Sequence, residues 1–261
     1  MHEHFEERDQ LLKTRLDKLL VDRGLIASRE RAQALILAGK VLVNEQKIEK
    51  AGAAVEIDSA VRLLGSDLRY VSRGGLKLEH ALDHWHVELA GKVCLDIGAS
   101  TGGFTDCMLQ RGATRVIAVD TGRGQMDFKL RSDPRVRLLE DTNARYLTAE
   151  MVGEEIGLAA MDVSFISATL VATAVVQAVR SFLRAGESCD IVVLVKPQFE
   201  AGRELVGKGG IVRDAAVQAA AVAKVTATLV QLGCGDLQSI ESPILGGEGN
   251  REFLLHGFIL A

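Results

Sequence analysis

Four polar residues stand where the surrounding sequence is apolar: Lys77 in SRGGLKL, Asp162 in AAMDVSF, Lys196 in DIVVLVKPQF and Glu252 in NREFLLHGF. Two lysines and two acids gathered on one edge of a sheet could hold a hydroxyl, remove its proton and balance the resulting charge. Lys196 and Asp162 each close an apolar run, so both are expected at carboxyl ends of parallel strands, the ligand edge of such sheets. A lysine there loses hydration and has a second cation nearby, and both effects favour the neutral amine a base requires. Taken one at a time, each of the four reads as an ordinary salt-bridge partner. Their common placement is what suggests a site.

A second stretch, CLDIGASTGGFTDC at 94–107, reads as a strand, a tight turn and the start of a helix. Gly98, Gly102 and Gly103 give G-x-x-x-G-G, not the G-x-G-x-x-G of dinucleotide sites, and a purely structural turn would satisfy the same pattern. Asp120 ends the next strand in VIAVD, where an acid can accept both hydroxyls of a ribose, as it also does in NAD sites. Asp96, expected at the mouth of the turn, would repel a pyrophosphate and attract the ammonium of an amino-acid moiety. S-adenosylmethionine has that ammonium, a ribose and no phosphate. Asp141, in LLEDTNA after the third strand, is then placed to meet the adenine edge, although a turn or cap role accounts for it equally.

These residues need a scaffold, and periodicity supplies one. Leu16, Leu19 and Leu20 mark a helix over 14–24, with Thr14 as its cap and Gly24 as its end. A second helix runs from Ser28 to a stop at Gly39, and VLVNEQKI, AAVEI and VRLL read as short strands. After a helix in LKLEHALDHW, strands are expected at 93–98, 115–120, 136–140, 157–162 and 190–196. Helices alternate with them at 103–111, 168–183 and 214–231. The last two strands, 236–244 and 251–260, should form an antiparallel hairpin. The fold class is therefore α/β, a Rossmann-like parallel sheet with an antiparallel edge hairpin, preceded by a small α+β unit.

The 261 residues are 48% hydrophobic and 25% charged, enough apolar content for a real core. Residues 11–50 carry nine Lys or Arg against five acids, a net +4 that leaves −8 for the rest of a chain whose formal charge is −4. A basic segment on an acidic body suits an electrostatic foothold on nucleic acid, or a solvated helix face. Cys94, Cys107, Cys189 and Cys234 include no Cys-x-x-Cys pair, so buried thiols in a reducing compartment and no metal site are expected. No secretory segment follows Met1, and the longest apolar run is far shorter than the roughly 20 residues that span a bilayer. The expectation is a soluble, cytoplasmic protein with no membrane partner.

The segments SRGGLKL, DIGASTGGFT, MDVSF, LVKPQFE and NREFLL together resemble those of the FtsJ/RrmJ-type RNA 2′-O-methyltransferases. From about residue 14 to the end the chain is similar to the TlyA (haemolysin A) branch, in which a ribosomal-protein-S-four-like RNA-binding domain precedes the methyltransferase. Many relatives carry a Pro within the glycine turn where this chain has Thr101. The resemblance implies a 1–13 extension, an RNA-binding domain at 14–65, a linker at 66–75 whose glycines let the domains reorient, and a catalytic domain at 76–261. It implies S-adenosylmethionine as cofactor, and a Lys-Asp-Lys-Glu tetrad of Lys77, Asp162, Lys196 and Glu252 that serves a ribose 2′-hydroxyl. The cofactor set becomes Ser72, Arg73, Gly74, Asp96, Gly98, Ser100, Gly102, Gly103, Phe104, Asp120, Asp141 and Asn143. Lys18, Arg29, Arg31 and Lys40 are expected on RNA phosphates. Lys208 joins them from 200–213, read as a mobile basic loop near the acceptor or as a plain solvated linker. The implied substrate is cytidine ribose in ribosomal RNA, presented on an assembled subunit.

Other chemistries fit less well. Cytosine-C5 methylation needs a nucleophilic Cys, often beside Pro, and Pro134, Pro197 and Pro243 have no Cys neighbour. Amino-group methylation usually shows a Pro-Pro signature, which is absent. A non-enzymatic RNA-binding or ribosome-assembly factor would need the basic unit but no cofactor pocket. Membrane lysis would need a long apolar or strongly amphipathic segment.

Overall fold

The computed structural model describes residues 13–23, 25–26, 28–64, 69–246 and 249–261. They form two compact units that divide between Asp67 and Leu68.

In the first unit, β1 (Lys13–Arg15) leads directly into α1 (Leu16–Asp22), and α2 (Arg29–Leu37) follows. Leu16, Leu19 and Leu20 meet Ala32 and Ile36 in a small core floored by Val41 and Val43. The Ser28 hydroxyl caps α2 by accepting from the Arg31 amide at 3.3 Å. Gly39 follows the helix at φ 64°, the left-handed stop expected of it. β2 (Val41–Val43) and β3 (Gln46–Lys47) form a hairpin, and β5 (Val61–Leu63) pairs with β2 on its other side. Thr14 does not cap α1. It lies in β1, which pairs with β4 (Ala54–Glu56), so Arg15 takes the cap position with no side-chain hydrogen bond. Gly24 lies outside the described residues.

The second unit is built on a seven-stranded sheet. Its strands are β6 (Val93–Ile97), β7 (Arg115–Val119), β8 (Val136–Leu139), β9 (Leu158–Met161), β10 (Ser188–Val195), β11 (Cys234–Glu241) and β12 (Phe253–Leu260). Their order is β11-β12-β10-β9-β6-β7-β8. The five strands from β10 to β8 are parallel, and β12 and β11 run antiparallel at the edge. The chain moves outward from β6 to β8 and then returns to β9 on the other side of β6. That reversal opens a crevice at the strands' carboxyl ends.

Helices α7 (Ala168–Arg180) and α9 (Ala215–Gln231) cover one face, and α3 (Gly74–Trp85) and α4 (Gly103–Gln110) cover the other. Strand alternation sorts the core accordingly. Leu95, Ile97, Ile191, Val193 and Val195 face α7 and α9, whereas Cys94, Val192, Leu194 and Leu254 face α3 and α4. Short helices α5 (Phe128–Arg131), α6 (Ala149–Val152) and α8 (Pro197–Glu200) occupy stretches too brief for periodicity to reveal. Residues 69–75, expected as linker, belong to this unit. Tyr70 is buried against the α3–α4 core, and Gly74 and Gly75 open α3 instead of forming a hinge.

Candidate active site

The parity that sorts the core also collects the four candidate residues. Counting by twos, Asp162 continues the side of Leu158 and Ala160, Lys196 that of Val192 and Leu194, and Glu252 that of Leu254. All three therefore emerge on the face covered by α3, the helix that supplies Lys77. Val195 pairs with Phe253, so Lys196 and Glu252 leave adjacent strands one step apart. Lys77 Nζ lies 2.5 Å from Glu252 Oε2, with both side chains almost wholly buried. Lys196 Nζ lies 2.6 Å from Asp162 Oδ1 and donates to Ser164 Oγ at 2.7 Å. The structure thus arranges the set as two close ion pairs, one deep and one opening to solvent through the partly exposed Asp162.

Two adjoining cavities flank Asp162. The smaller, about 230 Å³, is lined by Ser72, Arg73, Gly74, Lys77, Gly103 and Phe104, among others. The larger, about 430 Å³, is lined by Asp120, Gln125, Asn143, Ser164 and Phe165 among others, and Gly98 and Ser100 border both. Gly98 turns at φ 83°, and a Cβ there would overlap the Asp162 carbonyl, so the turn and the β9 end pack backbone to backbone. Gly102, at φ 95°, begins α4 but lines neither cavity; its missing side chain makes room for Leu130. Asp120 accepts from the Ser100 amide at 2.8 Å and from the Gly122 amide at 2.6 Å. These two bonds fix its carboxylate at the wall and leave lone pairs facing the larger cavity.

Two expected residues sit elsewhere. Asp96 is not at the mouth of the turn. Alternation along β6 points it beneath α4, where it is fully buried and accepts from Thr105 Oγ1 at 2.6 Å, with Oδ1 lacking any partner. Burial pushes its carboxyl up to about 7; the Thr105 bond opposes that rise, and the nearby Asp162 charge adds to it. Asp141 does not reach the cavity either. Its backbone turns to φ 51°, and its side chain, 66% exposed, lies 4.0 Å from Arg123. The next two residues, Thr142 and Asn143, line the wall instead, and the Asn143 side chain also accepts from the Arg145 amide at 3.1 Å.

Several contributors were not foreseen. Ser164 lies two positions beyond Asp162 in MDVSF, and that spacing was the only signal for it. Phe165 is 91% exposed at the cavity rim, with φ 63°, and packs its ring 5.3 Å from that of Phe199. A non-glycine residue at positive φ beside a cavity is a common mark of function. Glu200 is buried and accepts from Ser167 Oγ at 2.5 Å and the Ala168 amide at 2.6 Å. It thereby ties the turn after Lys196 to the start of α7, and Lys224 pairs with it at 3.3 Å.

Of the expected RNA contacts, Lys18, Arg29 and Lys40 are exposed and Arg31 is half-buried in the first unit, and Lys208 is exposed in the second. Arg29 is also a structural partner, 3.1 Å from the buried Asp17. All four cysteines are free and buried, and burial pushes the Cys94 and Cys107 thiols up to about 12. Neither is poised as a nucleophile. Among the described residues no helix is long and apolar enough to cross a membrane.

This arrangement, a switch-point cavity beside paired lysines and acids, has close counterparts. The FtsJ-like methyltransferase family matches residues 70–258 and the S4 domain matches residues 14–61. The chain is 49% identical over 247 residues to YqxC of Bacillus subtilis, provisionally described as an rRNA methyltransferase, covering 94% of this chain and 85% of that one. It is 44% identical to the 16S/23S rRNA (cytidine-2′-O)-methyltransferase TlyA of Mycobacterium tuberculosis, covering 93% of this chain and 89% of the relative. A solved Streptococcus thermophilus structure, provisionally described as a hemolysin, superposes with a TM-score of 0.72 at 43% identity, covering 95% of this chain and 89% of that one. The chain belongs to the FtsJ-like methyltransferase family and carries an S4 domain ahead of the catalytic fold.

Proposed function

We propose that the protein is an S-adenosylmethionine-dependent rRNA methyltransferase that acts in the cytoplasm on the 2′-hydroxyl of cytidine within ribosomal subunits. The observation that carries this reading is the pair of ion pairs on one sheet rim, Lys196–Asp162 and Lys77–Glu252, bordering the cavity formed by the glycine turn. The residues present suit the cofactor. Asp120 faces the larger cavity with acceptors free for a ribose, and the two glycine-turn walls approach closely enough to hold a flat ligand. When bound, S-adenosylmethionine supplies a methyl group already activated on a sulfonium, so the protein's task is alignment and proton removal.

Lys196 orients the ribose 2′-hydroxyl and takes its proton as the oxygen–carbon bond forms in line with departure of the sulfur. Asp162 and Ser164 fix the direction of that amine. Lys77, anchored by Glu252, positions the nucleotide and balances charge. Phe165 offers an exposed ring to an unstacked base. In the first unit, the exposed Lys18, Arg29 and Lys40 contact backbone phosphates, with Arg31 beside them.

Lys196→Ala tests the reading. Methyl transfer to ribosomal RNA is expected to fall by at least about a hundredfold, with S-adenosylmethionine affinity unchanged by calorimetry. Full transfer in that variant would refute the assignment. The product linkage in the wild type should resist alkaline cleavage, which separates ribose from base methylation.

A further inference from the structure

The buried amide of Asn250 has no part in the chemistry just described, yet it is only 1% exposed and every one of its polar side-chain atoms is engaged. Asn250 Oδ1 accepts from the Val212 amide at 3.0 Å, and Nδ2 donates to the Gly210 carbonyl at 2.9 Å. Its own carbonyl accepts from the Gly246 amide at 2.9 Å. From the other side, the buried Gln218 of α9 donates to the Val212 carbonyl at 2.8 Å. The segment expected to be a mobile loop is therefore braced. Gly207 donates to the Ile211 carbonyl and Gly210 to the Gly207 carbonyl, each at 3.1 Å, and this tight turn presents Lys208 to solvent.

The opposite end of the brace is Glu252, two residues along. The Gly246 backbone packs so closely on the Glu252 carboxylate that a Cβ there would overlap it. The Glu252 carbonyl accepts from the Ser242 amide at 2.9 Å. Asn250 thus stands between a cationic turn and the acid that anchors Lys77. Only an amide offers one donor and one acceptor in the fork this position requires. Aspartate would set an acceptor against the Gly210 carbonyl, and alanine would leave two buried backbone groups unpaired.

We propose that Asn250 is a positioning residue that couples the 207–211 turn, with its phosphate-directed Lys208, to the Glu252–Lys77 pair, so that seating the RNA backbone and aligning the pair are one event. This rests on the reading of the protein as an RNA methyltransferase. The test uses the full chain and compares wild type, Asn250→Asp, Asn250→Ala and Gln218→Leu. The readouts are kcat and KM for RNA, S-adenosylmethionine affinity by calorimetry, and hydrogen exchange.

In all three variants kcat is expected to fall about tenfold or more, with cofactor affinity unchanged. Exchange should quicken in both 207–213 and 251–256. Gln218→Leu loosens the turn from α9 without altering β12, so it carries the test if the Asn250 variants fail to fold. Faster exchange confined to 207–213, with kcat within about twofold of wild type, would overturn the coupling. A wild type that methylates no RNA would defeat the functional reading alone, because the exchange arms still decide whether the turn and the pair move together.

Discussion

Asp17 in the first unit and Asp96 in the second are both sealed from solvent, and their surroundings drive them in opposite directions. Asp17 gathers three partners: Arg15 donates to both its oxygens at 3.0 and 2.9 Å, Gln33 at 2.8 Å and Arg29 at 3.1 Å. The Arg15 hydrogen bonds lead in holding its carboxyl well below the usual range, against the pull of burial. Asp96 has Thr105 for one oxygen and nothing for the other, so desolvation prevails and the acid rises to about 7. Burial alone does not decide whether a carboxylate keeps its charge; the donors around it do. The purposes differ too. Asp17 organises exposed arginines at a surface suited to RNA, whereas the rim of the sheet turns its charges inward as pairs.

Breaking an inward pair should cost most. Glu252→Ala leaves the Lys77 ammonium buried without its partner and is expected to lower stability by about 3–5 kcal/mol in urea unfolding. The double change Lys77→Met with Glu252→Leu should recover most of that loss while leaving methyl transfer absent. A single variant as stable as wild type would mean the pair is not desolvated as described.

Asp96→Asn addresses the lone acid. The folded-state value near 7 exceeds the ordinary 3.8, so the wild type's stability from this group is complete below about pH 4 and lost as pH rises through 7. Asparagine cannot titrate, and the variant should therefore lack that decline and gain on the order of 4 kcal/mol relative to wild type by pH 8. Parallel stability curves for the two proteins between pH 4 and 8 would remove the contrast with Asp17.

Asp17→Ala should cost about 2–3 kcal/mol through lost charge-assisted hydrogen bonds. It should also weaken RNA binding by freeing Arg15 and Arg29 to wander. Its pH signature has the opposite sign: the lowered folded-state value gives stability that is present above about pH 4 and lost as pH falls below it. Acid unfolding that begins at the same pH in the variant and the wild type would contradict this role.

Much of the scaffold was legible because it depends on short-range pattern. The leucine spacing of α1, the Ser28 cap, the apolar runs of β6, β9 and β10 and the final hairpin all depend on neighbours a few positions apart. The identities of Lys77, Asp162, Lys196 and Glu252 could be read because each polar side chain interrupts an apolar context. Asp141 misled for a related reason. It follows the third strand as expected, yet a left-handed backbone at that one residue rotates it to solvent and hands the wall to Thr142 and Asn143. Nor could Asn250 or Glu200 be found from their surroundings, since their partners lie about thirty to forty residues away.

By itself, then, the amino-acid order determined which strands and helices exist and which residue types arrive at the sheet's rim, since periodicity and polarity act locally along the chain. Tertiary packing decided which of those groups meet: that four charges separate into two pairs, that Asp96 turns beneath α4, and that Asn250 bridges two loops. Ion pairing and desolvation act through space over a few ångströms, and that proximity between residues far apart in the chain exists only once the sheet has formed.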